Sequence, residues 1–316
     1  MLDERIDRES MAVAAELTAV IVAVTDGQPI VLTIEKGQAL PSGPLQPDHR
    51  SLQAGLRAWV ETQTHHPLGY VEQLYTFADQ GRKQGTAGRV VSVSYLGLTR
   101  QAPVVRGWDA EWQPWYRFFP WEDFRGPGAS ATAALLPALR DWIEAAPDPA
   151  EQKARERRVR VIFGTDGQPW NEEMVLPRYE TLWEAGLVPE SRPDGATLPD
   201  SLAAALGSPM RHDHRRILAT GIARLRAKIK YRPVVFELMP DAFTLLQLQR
   251  TVEALAGRLL HKQNFRRLID QQDLVEETGC VTTETGGRPA KLFRFRREVL
   301  DERQVVGTKL PLVRPV

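Results

Sequence analysis

The chain has a single cysteine, Cys280, in 316 residues. One cysteine can close no intramolecular disulfide and build no cysteine-based zinc cage, which fits a protein of a reducing compartment. Net charge is nearly missing too: 41 Lys and Arg stand against 40 Asp and Glu, a formal +1. Any nucleic-acid surface must then be a local patch and not the whole molecule. No apolar run approaches the roughly 20 residues of a membrane span, and the opening MLDERIDRES is too charged for a secretory signal. These absences lead us to expect a soluble, cytoplasmic protein of one large domain or two. Its 42% hydrophobic residues suffice for a core.

What is present begins with a mixed α/β pattern. LTAVIVAVTDGQPIVLTI is two β-branched runs around Asp26-Gly27, a hairpin signal. RVVSVSYLGLT alternates, with Val91, Val93 and Tyr95 on one face and Val90, Ser92 and Ser94 on the other. Between them SLQAGLRAWVETQT spaces Leu52, Leu56, Trp59 and Val60 as a helix stripe, with Ser51 as N-cap. The segment GWDAEWQPWYRFFPWEDFRGPG then crowds Trp108, Trp112, Trp115 and Trp121 together. Such density reads first as a satellite core or self-association surface, and second as a base-stacking pocket. A charged helix follows EAAPDP, and LVPESRPDGATLPDS is a second proline-rich connection. HDHRRILATGIARLRAKIKYR predicts a long basic amphipathic helix from His214 to Lys230, leaving the preceding domain toward the C-terminal one. Pro240 marks the boundary between them.

The C-terminal module gathers the cations. Thr244 and Gln247 form a capping box, Leu245, Leu248, Val252 and Leu255 a buried stripe, and Gly257 a C-terminal cap. A second helix, roughly Lys262 to Asp270, turns Phe265, Leu268 and Ile269 inward and leaves Lys262, Gln263, Arg266 and Arg267 outside. DLVEETG and AKLFRFR then pair around Gly286-Gly287, with Phe293 and Phe295 on one face and Arg294 and Arg296 on the other. Two helices in a tight turn followed by a hairpin make a winged helix-turn-helix, whose second helix enters the major groove while the wing follows the phosphates. Lys262, Arg266 and Arg267 on the helix and Arg288 and Lys291 at the wing are the expected DNA contacts. Gln263 and Asn264 offer amide edges suited to adenine. A winged domain used for protein contacts, with solvated cations, is the other reading.

A second signal starts at Gly43. The Nudix hydrolase signature runs from a glycine through a glutamate to Arg-Glu-apolar-any-Glu-Glu-any-Gly. In that register Arg57 takes the arginine position, Trp59 the apolar one and Glu61 the first of the paired glutamates. The remaining glutamate positions hold His49, Ala58 and Thr62, and the later glycine is Thr64. Those glutamates hold divalent cations against a pyrophosphate, and one carboxylate cannot. His49, Glu61, His65 and His66 match no standard transition-metal spacing, so we expect no metal and no resident cofactor.

Together with this register, YVEQLYTFADQGRKQGTAGRVVSVSYLGL, the helix beginning at HDHRR, FTLLQLQRTVEALAGRLLHKQNFRRLI and TGGRPAKLFRF resemble the Nudix-related transcriptional regulators of NAD metabolism, of the NrtR and NadQ type. The long middle segment is more similar to the NadQ branch. The resemblance implies an α+β chain: a Nudix-like α/β/α sandwich over residues 11–239, with an insertion at about 106–200, then a winged helix-turn-helix at 240–300 and a tail at 301–316. It further implies a homodimeric, non-enzymatic repressor of NAD biosynthesis genes that binds a palindromic operator and senses an adenine nucleotide, ATP in the NadQ branch. The nucleotide would lie over the box helix and neighbouring strands, which points to Arg57, Glu61 and Tyr95. The loop DQGRKQGTAGR adds Arg82, Lys83 and Arg89 as phosphate contacts, a solvated loop being the alternative. Two other functions compete. One is a hydrolase of ADP-ribose or a related nucleotide with an accessory winged helix; the other is a nucleotide-binding scaffold that touches no DNA.

Overall fold

The β-branched runs flanking Asp26-Gly27 form strands β1 (Ala14–Thr25) and β2 (Gln28–Thr33). Asp26 at φ 51° and Gly27 at φ 71° supply the left-handed pair that a tight two-residue hairpin needs. Strands β3 (Ser42–Pro44), β4 (Tyr70–Phe77), β5 (Val90–Leu98) and β6 (Glu111–Pro114) complete a six-stranded sheet of order β4-β5-β1-β2-β6, with β3 against β1. β1 and β5 are parallel, and the other pairings are antiparallel. This computed structural model describes residues 13–79, 90–102, 109–192, 198–230, 234–283 and 289–296.

Alternation along β1 sorts the core into two layers. Leu17, Ala19 and Ile21 meet Leu56 and Val60 of helix α1 (Leu52–Thr64), and Val93 and Tyr95 of β5 join that layer. Val20 and Val22 face the opposite way, onto helix α6 (His214–Ile229). Gly221 lets that helix approach closely, since a Cβ there would sit 2.9 Å from Val20 Cγ1. α6 is therefore the second cover of the sandwich. It does not leave the domain, as the sequence suggested, but packs across β1, β4 and β5 before its last turn reaches helix α7 (Leu245–Ala256).

The segment between β6 and α6 contributes helices α2 (Gly128–Glu144), α3 (Pro149–Phe163), α4 (Val175–Glu184) and α5 (Asp200–Leu206). Trp115, Phe118, Phe119 and Trp121 are all fully buried, as a satellite core requires, and Trp112 is half-buried. Trp108 lies outside the described residues. This core continues without a break into Leu248, Leu255, Phe265 and Ile269, so the hydrophobic interior runs past Pro240.

A charged knot ties the same three parts. Glu122 is 1% exposed, and its carboxylate accepts from Arg178 at 2.5 Å and from Arg226 of α6. Burial opposes the charge on Glu122, but the two guanidiniums outweigh it and hold the carboxyl below its ordinary range. Arg226 Nε donates to Leu255 O at 2.9 Å and Tyr116 OH to Ala254 O at 2.7 Å, satisfying carbonyls at the end of α7. Any Cβ at Gly257 would collide with the Glu122 carbonyl, so this left-handed cap (φ 71°) is also a contact point.

Candidate functional site

The C-terminal module folds as its local signals dictate. Thr244 Oγ1 accepts from Gln247 N at 3.2 Å and Gln247 Oε1 from Thr244 N at 2.7 Å, closing the capping box on α7. Glu253 Oε1 accepts from Leu260 N and from Gln249 Nε2, both at 2.9 Å, and so fixes the turn into helix α8 (Lys262–Gln272). Phe265 and Ile269 anchor α8 to the core. Strands β7 (Val275–Thr282) and β8 (Ala290–Phe295) form the wing, and Phe243 pairs with Phe293 through two backbone bonds of 2.9 and 2.8 Å. Phe295 stacks on Phe243 with centroids 4.5 Å apart. The aromatic face is inward and the basic face outward, as the alternation requires.

On α8, Lys262, Gln263, Asn264, Arg266 and Arg267 are all exposed. Each of the three cations among them stands without an ion pair among the described residues. Five polar side chains thus project from one helix toward solvent, which is the presentation a major-groove reader needs. The wing differs. Lys291 is paired with Glu277 at 2.8 Å, Arg294 with Glu276 at 2.6 Å, and Arg296 with Asp273. The sequence places Lys291 among the wing's DNA contacts; in the structure it pairs with Glu277 and would exchange that carboxylate for a phosphate. The acidic residues of β7 stand in the sequence, but only the register Glu276↔Arg294 and the irregularity between Glu277 and Val281 bring them beside Arg294 and Lys291. Arg288 lies outside the described residues.

The box helix is intact in form. Ser51 Oγ accepts from Ala54 N at 3.1 Å, and Trp59 Nε1 donates to Pro44 O at 2.9 Å. Gly43 makes room for that indole, because a Cβ would collide with it. Ala58, Glu61 and Thr62 are exposed along one face, where a metal cluster would need carboxylates. Arg57 donates to the carbonyls of Leu68 and Gly69, the latter at 2.9 Å, so it braces the loop after the helix. Tyr95 is 5% exposed beneath α1, and burial pushes its phenol up; it is a packing residue of this layer, not an exposed contact. His49 packs on Gly55 and accepts from Gln46 N at 3.1 Å. His66 is buried, 3.0 Å from Thr99 Oγ1 and edge-on to Trp112. Arg82, Lys83 and Arg89 lie outside the described residues. Sequence reading missed the knot at Glu122, Arg178 and Arg226, and only the Arg-rich run of α6 hinted at it.

Comparison with known proteins agrees with this geometry. Residues 235–295 match the family model described as the NrtR DNA-binding winged helix domain. A curated relative, the ADPR responsive transcriptional repressor NtrR of Acinetobacter baylyi, is 38% identical over 101 residues. That stretch spans 32% of this chain and 40% of the relative. Among solved structures, Shewanella oneidensis NrtR complexed with a 27mer DNA superposes with a TM-score of 0.53 at 20% identity, covering 89% of this chain and 93% of that one. A MutT/nudix family protein from Enterococcus faecalis gives 0.53 at 16% identity over 94% and 89%. At such identities these likenesses establish the fold. The chain combines a Nudix-type α/β fold with a C-terminal winged helix of the NrtR kind, and its resemblance to the Nudix-related NrtR-type regulators stands.

Proposed function

We propose that this chain is a DNA-binding transcriptional repressor of NAD biosynthesis genes, acting as a homodimer on a palindromic operator. Its Nudix-type domain would sense an adenine nucleotide without hydrolysing it. The observation that carries this reading is the outward face of α8, with Lys262, Arg266 and Arg267 exposed and without an ion pair among the described residues, on an NrtR-type winged helix. Exposed, unpaired cations contribute little to folding, and bidentate arginine contacts supply much of direct base readout. In a dimer the two α8 helices must sit about 34 Å apart to match half-sites one turn apart, so a small rotation would release DNA.

The absence of catalysis follows from Ala58, Thr62 and His49 at the glutamate positions. Glu61 alone cannot hold the divalent ions that balance a pyrophosphate. Two observations bear on the effector. The long middle segment favours ATP, by likeness to the NadQ branch; the Acinetobacter relative is named for its response to ADP-ribose. We take ATP as the effector here and ADP-ribose as its direct competitor.

A mobility-shift titration tests this. DNA from upstream of NAD biosynthesis genes should be retarded, and millimolar ATP should release it with a coupling of about 1–3 kcal/mol. The protein incubated with ATP, ADP-ribose or NAD and magnesium should give no turnover. Retardation that no nucleotide alters would remove the sensor from the account, and robust metal-dependent hydrolysis would replace it with an enzyme.

A further inference from the structure

The winged helix meets the rest of the chain along a charged seam, and one carboxylate of that seam is bonded from two sides. Glu172 lies in the segment between β6 and α6 and is 6% exposed. Its Oε1 lies 2.9 Å from Nζ of Lys230, the cap residue at the end of α6. Its Oε2 lies 3.6 Å from Nη1 of Arg258. Arg258 follows the Gly257 cap and opens the turn from α7 into α8. Burial works against the charge on Glu172, but the bond from Lys230 and the charges of Lys230 and Arg258 hold its carboxyl below the ordinary range.

The stretch that carries Glu172 is itself fixed. Glu172 O accepts from Arg226 Nη1 at 3.0 Å, and Asn171 O from Arg178 Nη2 at 3.0 Å. Asn171 Oδ1 accepts from Glu173 N at 2.9 Å, and the Arg178 guanidinium lies 3.7 Å from the Trp170 ring centre. Glu172 therefore stands on the buried knot of Glu122, Arg178 and Arg226. Arg226 and Tyr116 hold the carbonyls at the end of α7; Glu172 reaches one step further, to the turn before α8. Apolar burial is non-directional, whereas a buried charge is tolerated only in a geometry that pairs it.

We infer that Glu172 is a positioning residue for DNA reading: through Lys230 and Arg258 it fixes the angle at which α7 and α8 stand on the rest of the chain. In a dimer that angle sets the separation of the two α8 helices, so the inference rests on the dimeric repressor reading proposed above. Two half-sites are held at once only if the second helix is already in place. A loosened junction lowers the effective concentration of that second helix and leaves the hold on one half-site unchanged.

The test uses the full chain and a palindromic site selected from random DNA by the parent protein. Affinity is measured for that site, for the same site with one half scrambled, and for versions with the half-sites moved one and two base pairs apart. We expect Glu172→Gln to bind the intact palindrome about tenfold more weakly than the parent and to discriminate less between spacings. Its affinity for the single half-site should stay at the parent's value. Arg258→Gln, which breaks the same contact from the other side, should behave alike. Parent-like affinity and spacing preference in both variants overturns the inference. So does an equal loss on single and paired half-sites, the mark of a folding defect or a direct DNA contact. If the parent selects no palindrome, the dimeric reading falls and the inference falls with it.

Discussion

Helices α6 and α8 are both basic in sequence, yet the fold gives their cations opposite surroundings. In α6, Arg215 and Arg226 are buried and bonded to carboxylates and carbonyls, Lys228 is buried against Glu72 and Tyr70, and Arg216 binds Asp79, Asp213 and Glu180. In α8, Lys262, Arg266 and Arg267 face solvent with no ion pair among the described residues. A buried charge is tolerable only while paired, whereas an exposed one is nearly neutral to stability. Arg215, Arg216, Arg226 and Lys228 are thus architecture, and the α8 cations are available to a partner. The difference teaches that a basic run says where charge is, and that its partners decide what the charge does.

The comparison breaks most visibly at the knot. Arg226→Ala leaves Glu122 short of one guanidinium and Leu255 O without its donor, and should cost about 3–5 kcal/mol of stability in urea unfolding. An Arg226→Ala chain as stable as the parent would mean that α6 is no more structural than α8. The wing sharpens the comparison with a smaller effect. Lys291→Ala should flatten the salt dependence of DNA binding by about one ion for every sequence tested. Glu277→Gln frees Lys291 and should tighten binding by less than about 1 kcal/mol. Equal salt slopes in the parent and both variants would exclude the wing from the phosphate track.

The smallest effect is on pH. Burial lowers the pKa of His66, so its folded form disfavours the proton that the unfolded chain accepts. The neutral side chain's contribution is present above the unfolded pKa of about 6.5 and shrinks as pH falls below it. Denaturant midpoints between pH 7.5 and 5.5 should fall more for the parent than for His66→Gln; parallel curves would show that His66 titrates as if exposed.

Legibility followed range along the chain. The Asp26-Gly27 turn, the Ser51 cap, the Thr244-Gln247 box, the Gly257 cap and the alternating faces of β5 and β8 are set by neighbours and were readable from spacing alone. The fate of α6 was not, because Arg226 finds Glu122 at a separation of 104 residues and Arg178 finds it at 56. Tyr95 shows the same limit from the other side: its alternation was right, but its face is the one α1 covers.

The most direct measurement is a fluorescence-anisotropy titration of operator DNA with the parent chain, Arg266→Ala, Arg267→Ala and the exposed α6 control Arg224→Ala, at one fixed salt concentration. The account predicts that each α8 variant loses about 1–3 kcal/mol of operator affinity at an unchanged melting temperature, with Arg224→Ala binding as the parent does. Parent-like affinity in both α8 variants, or an equal loss in Arg224→Ala, would contradict it.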